Sequence, residues 1–213
     1  MSGPIIINGN DNEENQVSNA KFGKERFPSS YQDAVGINAS EKLHTNSKEL
    51  VEILKSNNVI ENNISVFEIG AGGCRNIKYI LDENSTIKLG ANDLFKESSF
   101  KNMDIDVKNI IDFYECDTLE LLENYELNPD LLISSDHLMH VEHIKVEKIL
   151  NLINEKWNPK WILLREIKKE FENITHPRLY HNYDVLNSNY ELISESDSKQ
   201  DSAYFIKLYR RFE

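Results

Sequence analysis

Short apolar runs alternate with stretches of helical periodicity along most of the chain. Ile64 to Ile69 is an apolar run that ends in Gly70-Ala71-Gly72-Gly73, the pattern of a buried strand entering a tight turn. Asn76 to Leu81 continues at helical spacing through Ile77, Ile80 and Leu81. Thr86 to Ala91 and Ile110 to Glu115 are the second and third strand candidates, and Leu119 to Tyr125 is a short helix. Pro129 introduces a fourth strand, Asp130 to Ser134. Val141 to Trp157, with Ile144, Ile149, Leu150, Leu152 and Ile153, predicts a helix, and Trp161 to Arg165 a fifth strand. Ahead of this series a helix begins near Ser40, carries Leu43, Leu50, Val51 and Leu54 on one stripe, and stops in the Ser56-Asn57-Asn58 cluster. Strands separated by helical stretches require parallel crossovers and a sheet covered on both faces.

The C-terminal end reads differently. Tyr190 to Ser194 and Ala203 to Tyr209 are β-rich runs joined by the polar segment Glu195 to Ser202, and alternation from Phe205 onward marks an antiparallel hairpin closing one sheet edge. The expected fold is α/β: a three-layer αβα sandwich with a seven-stranded, mostly parallel sheet and a C-terminal antiparallel hairpin. Residues 1–20 are mostly Asn, Asp, Glu, Gly and Ser, too little apolar surface to offset ordering, and are expected to form a disordered tail. Residues 21–213 are expected to form a single domain. Within it, residues 21–60 make an N-terminal arm and helix. Phe22, Phe27, Pro28, Tyr31 and Gly36 mark the arm, which is placed either to close as a lid over a ligand or to lie against the sheet.

Composition narrows the choice. The 213 residues, 39% hydrophobic and 28% charged, suffice for one well-buried α/β domain. Lys and Arg number 24 against 36 Asp and Glu, and the resulting charge of −12 disfavours a phosphate backbone, so no nucleic-acid partner is expected. No apolar run approaches the roughly 20 residues of a membrane helix. Ile5 to Ile7 is too short for a secretion signal, and a cytoplasmic protein without a membrane partner is expected. The two cysteines, Cys74 and Cys116, lack CxxC spacing, which argues against a disulfide framework or a cysteine zinc site and fits a reducing cytosol.

The segment Glu68-Ile69-Gly70-Ala71-Gly72-Gly73-Cys74-Arg75 carries the most chemistry. Glycines directly after a buried strand let a ligand approach the backbone at the N-terminus of the following helix. A dinucleotide fingerprint requires a third glycine at position 75, where Arg75 stands, and Glu68 adds repulsion toward a pyrophosphate. No Gly-Lys-Ser/Thr follows, so a Walker loop is excluded. An acid two residues ahead of the first glycine suits a ligand bearing positive charge. The same segment also reads as a plain strand-to-helix turn. Asp93 also reads as a helix cap, and Asp117, followed by Thr118 and a helical pattern, is an equally good N-cap.

Glu68, Gly70 and Gly72 resemble the acid-x-Gly-x-Gly-x-Gly signature of the class I S-adenosylmethionine-dependent methyltransferases, with Cys74 in the third glycine's place. Asp93, in Leu89-Gly-Ala-Asn-Asp-Leu94, resembles the acid that ends the family's second strand, and Asp117 the one after its third. The run Asp130-Leu-Leu-Ile-Ser134-Ser135-Asp136-His137-Leu138-Met139-His140 is similar to the family's fourth strand and the Leu-x-His that follows it. The resemblance covers Ile64 to Glu166 and extends by element order to the C-terminus. It implies S-adenosyl-L-methionine as cofactor, with Glu68 at its ammonium end and Gly70, Ala71 and Gly72 against its methionine and ribose. Asp93, or Asn92 if the register is one residue off, would take the ribose hydroxyls. Asp117 would meet the adenine amino group, and Leu94, Thr118, Ser134 and Ser135 complete the expected cofactor-binding set.

Transfer to an oxygen or nitrogen calls for a base. His137 follows the fourth strand directly and is the first candidate. His140 is the second, although it reads equally well as a buried residue under the cofactor loop, and His181 stands behind them. His137, His140 and His143 lie three apart, a metal-ligand spacing on a helix, but the segment begins in a loop and no metal site is expected. Glu166, His176, Arg178, Tyr180, His181 and Tyr183 form a polar cluster after the fifth strand, either on the acceptor side of the site or as an ordinary solvated connection. The expected activity is methyl transfer from S-adenosylmethionine to an oxygen or nitrogen of a small-molecule acceptor. The alternative is a non-catalytic S-adenosylmethionine-binding regulatory or partner protein on the same fold. An aminopropyl transferase on this scaffold finds no signature here.

Overall fold

The structure is a computed structural model that describes residues 41–60, 63–172 and 178–213. The predicted tail, the arm as far as residue 40, and His176 lie outside the described residues. The first helix, α1, spans Glu41–Ser56. Then β1 (Ser65–Ile69), α2 (Arg75–Glu83), β2 (Lys88–Asp93), two short helices α3 (Lys96–Asn102) and α4 (Ile105–Lys108), β3 (Ile111–Glu115), α5 (Thr118–Asn124) and β4 (Leu131–Ser135) follow. A 3-10 turn over Leu138–His140 leads into α6 (His143–Leu152), which widens into a π turn at Ile153–Trp157 before β5 (Trp161–Ile167). The chain ends in β6 (Tyr190–Asp197) and β7 (Tyr204–Arg211).

The strands form one seven-stranded sheet in the order β3-β2-β1-β4-β5-β7-β6. The first five are mutually parallel, and β7 runs antiparallel to both β5 and β6. Period-two side-chain alternation divides the core into two layers. Val66, Leu89, Ile133 and Leu163 pack under α1 and α2 through Leu50, Leu54, Ile77 and Ile80. Phe67, Ile69, Leu132, Ile162 and Leu164 pack under α5 and α6 through Leu121, Leu122, Val146, Ile149 and Trp157. The chain order reverses between β1 and β4, so a crevice opens at the carboxyl ends of these strands, where open α/β sheets receive ligands. Among the described residues no helix is long and apolar enough to cross a membrane.

Element boundaries differ from the sequence pattern where side chains or long-range pairing intervene. β2 starts at Lys88 because the Thr86 N–H and hydroxyl donate to Asn84 Oδ1 at 3.0 and 2.7 Å, closing a side-chain turn that keeps Thr86 out of the sheet. β5 runs past Arg165 to Ile167 because its antiparallel partner continues to Tyr204. The helix predicted from Val141 begins at His143, after the 3-10 turn. Helices α3 and α4 fall between the second and third strands, in a stretch without apolar periodicity.

One contact on β2 shows how tightly the layers fit. Gly90 pairs with Phe67 across the β1–β2 ladder, and a Cβ at Gly90 would lie 2.5 Å from the Phe67 ring. That ring is held edge-on to Trp157 and tilted against Tyr114, at centroid separations of 5.2 and 5.9 Å, so it has little room to yield. Gly90→Ala is expected to lower stability by about 1–3 kcal/mol, read as a fall in urea midpoint without a change in slope.

Candidate functional site

The end of β2 holds the glycine turn after β1. Gly70 and Gly72 have φ of 62° and 52°, left-handed conformations that favour glycine. The Ala71 N–H donates to the Asn92 carbonyl at 3.0 Å, the Gly70 N–H to Asn92 Oδ1 at 3.4 Å, and the Gly72 N–H to Asp93 Oδ2 at 2.9 Å. Asn92 also ties the next loop, its amide donating to the Cys116 carbonyl at 3.1 Å and to Thr118 Oγ1 at 3.2 Å. Cys74, in the third glycine's place, keeps φ at 55° and is fully buried, so the left-handed geometry that a glycine would supply persists without one. The strain of that conformation is about 1–2 kcal/mol.

Glu68 lies directly before this turn and is 2% exposed. Its Oε1 accepts from the Asn76 amide at 2.6 Å, while Oε2 has no hydrogen-bond partner among the described residues. Burial pushes its carboxyl up to about 7, opposed by the Asn76 hydrogen bond and the Arg75 charge. An acid with an oxygen left without a partner among the described residues, beside a left-handed glycine turn, suits a cationic group.

The loops after β3 and β4 close the other side. Asp117 caps α5, accepting from the Leu119 N–H at 2.8 Å. The buried Thr118 hydroxyl lies 2.9 Å from His137 Nε2. The half-buried His137 ring fills the space over Gly70, since a Cβ there would sit 2.1 Å from Nδ1. Ser134 is buried at the end of β4, its hydroxyl donating to Glu166 Oε1 at 2.7 Å. Ser135 and Leu94 are half-buried at the strand ends. Asp136, at φ 58°, pairs with the buried Arg165, whose guanidinium stacks 4.3 Å from the Tyr204 ring centroid.

Glu166 has a role that its sequence position does not reveal. Besides Ser134, it accepts from the backbone N–H groups of Leu138 and Met139, each at 3.1 Å, and so shapes the loop that carries His137 and His140. Burial pushes this carboxyl up to about 7, against the pull of those donors. His140 is half-buried in the 3-10 turn, its N–H donating to the His137 carbonyl at 3.0 Å. His181 is buried behind the loop with both ring nitrogens engaged, Nε2 to the Leu138 carbonyl at 2.8 Å and Nδ1 to His143 Nδ1 at 3.1 Å. Burial and the neighbouring His143 pull its pKa down to about 4.

Hydrogen bonds therefore bring Gly70, Ala71, Gly72, Asp93, Thr118, Ser134 and His137 around one crevice, and Glu68 reaches it at the end of β1. Asp117 and Leu94 lie on its β2–β3 side, Ser135 and His140 on its β4 side, and His181 behind the β4 loop. Among the described residues no group of three or more His, Cys, Asp or Glu side chains is arranged to hold a metal ion.

The raised Glu68 carboxyl makes a stability test. Its folded value of about 7 exceeds the ordinary 4.5, so the folded state binds the extra proton and stability falls as pH rises from 4.5 to 7. Glu68→Gln keeps an oxygen for Asn76 and removes the buried charge. The variant is expected to be more stable than wild type at about pH 8, by up to about 3 kcal/mol, with the advantage vanishing near pH 4; urea unfolding at both pH values checks it.

A scan against protein-family models gives no match, and a search of curated proteins gives none. Solved structures do match. The 1,6-didemethyltoxoflavin-N1-methyltransferase of Burkholderia thailandensis, with bound 1,6-didemethyltoxoflavin and S-adenosylhomocysteine, superposes with a TM-score of 0.71 at 14% identity, over 100% of this chain and 94% of that one. Magnesium protoporphyrin IX methyltransferase from Synechocystis PCC 6803, with bound S-adenosylmethionine, gives 0.67 at 11% identity, over 96% and 100%. A small RNA methyltransferase gives 0.57 at 14% identity, over 78% of this chain and 25% of that one. With its strand order and antiparallel last strand, the chain has the class I methyltransferase fold.

Proposed function

We propose that this protein transfers the methyl group of S-adenosylmethionine to an oxygen or nitrogen of a small-molecule acceptor. The observation that carries the reading is Glu68: a buried carboxylate with one oxygen unpartnered among the described residues, beside a left-handed glycine turn at the reversal point of the sheet. Such an acid repels a pyrophosphate and suits the cofactor's ammonium group. Ala71 and Gly72 offer backbone next to Gly70, over which the His137 ring lies, and Asp93 at the end of β2 suits a pair of ribose hydroxyls. We assign Asp117 and Thr118 to the adenine, with Leu94, Ser134 and Ser135 as walls. Two of the fold relatives hold S-adenosylmethionine or S-adenosylhomocysteine, which agrees with this assignment.

The cofactor supplies an activated methyl group when bound. The protein's own part is orientation, exclusion of water and removal of the acceptor's proton. His137 and His140, on the loop shaped by Glu166, are the residues we assign to the proton, and His181 supports that loop from behind through the Leu138 carbonyl. A formal charge of −12 favours a small acceptor over RNA.

Titration calorimetry with S-adenosylhomocysteine tests the reading. Wild type is expected to bind it and to ignore NAD, and Asp93→Ala is expected to weaken binding by about tenfold or more. Binding of NAD in place of the nucleoside would overturn the assignment. Tight binding without turnover on a broad acceptor panel would favour the non-catalytic alternative.

A further inference from the structure

Three side chains outside the crevice form a directed chain that ends on Glu68. The Arg75 Nε–H donates to Ser47 Oγ at 2.9 Å, the Ser47 hydroxyl donates to Asn76 Oδ1 at 2.6 Å, and the Asn76 amide donates to Glu68 Oε1 at 2.6 Å. Ser47 has no exposed surface, and Asn76 and Arg75 are buried. Ser47 lies on α1, Arg75 and Asn76 open α2, and Glu68 belongs to β1, so three elements meet in this relay. Every bond points the same way, from guanidinium to carboxylate.

The direction matters because a carboxamide can present either its oxygen or its NH₂ group. The Ser47 hydroxyl has one proton, and Asn76 Oδ1 at 2.6 Å is much nearer than the Leu43 carbonyl at 3.3 Å. With its oxygen occupied by that proton, Asn76 turns its NH₂ toward Glu68. Without the hydroxyl, no other side chain among the described residues of α1 bonds the amide.

We infer that Ser47 is a positioning residue for the cofactor: through Asn76 it favours the Glu68 carboxylate as an anion and leaves Oε2 for the ammonium group, so the first helix sets the pH dependence of binding. This rests on the S-adenosylmethionine reading above. The groups facing Glu68 are the Arg75 charge, the Asn76 amide and the Ile77 N–H from α2, which favour the anion, and Asp136 from the loop after β4, which opposes it. The neighbouring Cys74 thiol is held protonated by burial. Among these, Ser47 touches the Asn76 amide, whose oxygen takes its proton, and the Arg75 guanidinium, which donates to its hydroxyl.

The expected signature is a shift in pH profile. Glu68 sits at about 7, and the ammonium needs the ionised form, so affinity rises with pH through neutrality. Between about pH 6 and 8 the rise is about tenfold. S-adenosylhomocysteine, which carries the same ammonium group, is titrated calorimetrically into wild type and Ser47→Ala from about pH 5.5 to 8.5. In the variant the midpoint is expected to move up by about half a pH unit or more, leaving binding several-fold weaker below neutrality and close to wild type at the alkaline end. The ligand's own amine titrates alike in both proteins and drops out of the comparison. Ser47→Cys, near in size with a weak donor, is expected to fall between them, and it carries the comparison if circular dichroism shows the alanine variant unfolded. Uniform weakening at every pH, or an unmoved midpoint, would overturn the inference and leave Ser47 as packing alone. Failure of wild type to bind S-adenosylhomocysteine at any pH would instead overturn the cofactor reading.

Discussion

The site depends on the clamp that the end of β2 places on the turn after β1. Parallel pairing brings Ile69 opposite Asn92, and the next residues leave the ladder with their N–H groups pointing at acceptors on β2. A glycine turn without such acceptors would expose three amides with no fixed direction. With them, the backbone is fixed, and the His137 ring lies over its first glycine. Asn92 then reaches onward to Cys116 and Thr118, so hydrogen bonds tie the β1, β2 and β3 ends into one rim.

Two buried glutamates at the crevice show contrasting uses of the same side chain. Glu166 is surrounded by donors from Ser134 and the following backbone, and its energetic return is a shaped loop. Glu68 receives a donor on one oxygen and is left short on the other. Burial without full hydrogen bonding is unfavourable in the folded state alone, and such imbalance concentrates at sites that complete themselves with a ligand.

Much of this was legible in the sequence for a simple reason. The central strands of a parallel sheet are covered on both faces, so β1, β4 and β5 appear as apolar runs, and the turn after β1 announces itself through Gly70 and Gly72. What was hidden rests on contacts between distant segments. The last residues of β5 belong to the sheet because β7 continues beside them. His181 looks like a proton carrier in sequence, yet its ring is tied to a carbonyl at Leu138. Asp117, readable as either a ligand or a cap, does cap α5. Ser47 is one of two serines on α1, and only folding sets it between Arg75 and Asn76.

The two cysteines border the same rim, and both are held as thiols. Cys74 is driven well above its ordinary value by burial and by the acids Glu68 and Asp93, and Cys116 is pushed up to about 11. A methyl sulfonium is an alkylating agent, and a thiolate is among the strongest nucleophiles a protein can offer it. Keeping these sulfurs protonated, one within the turn and one behind it, spares the protein from self-alkylation by the reagent it is proposed to carry.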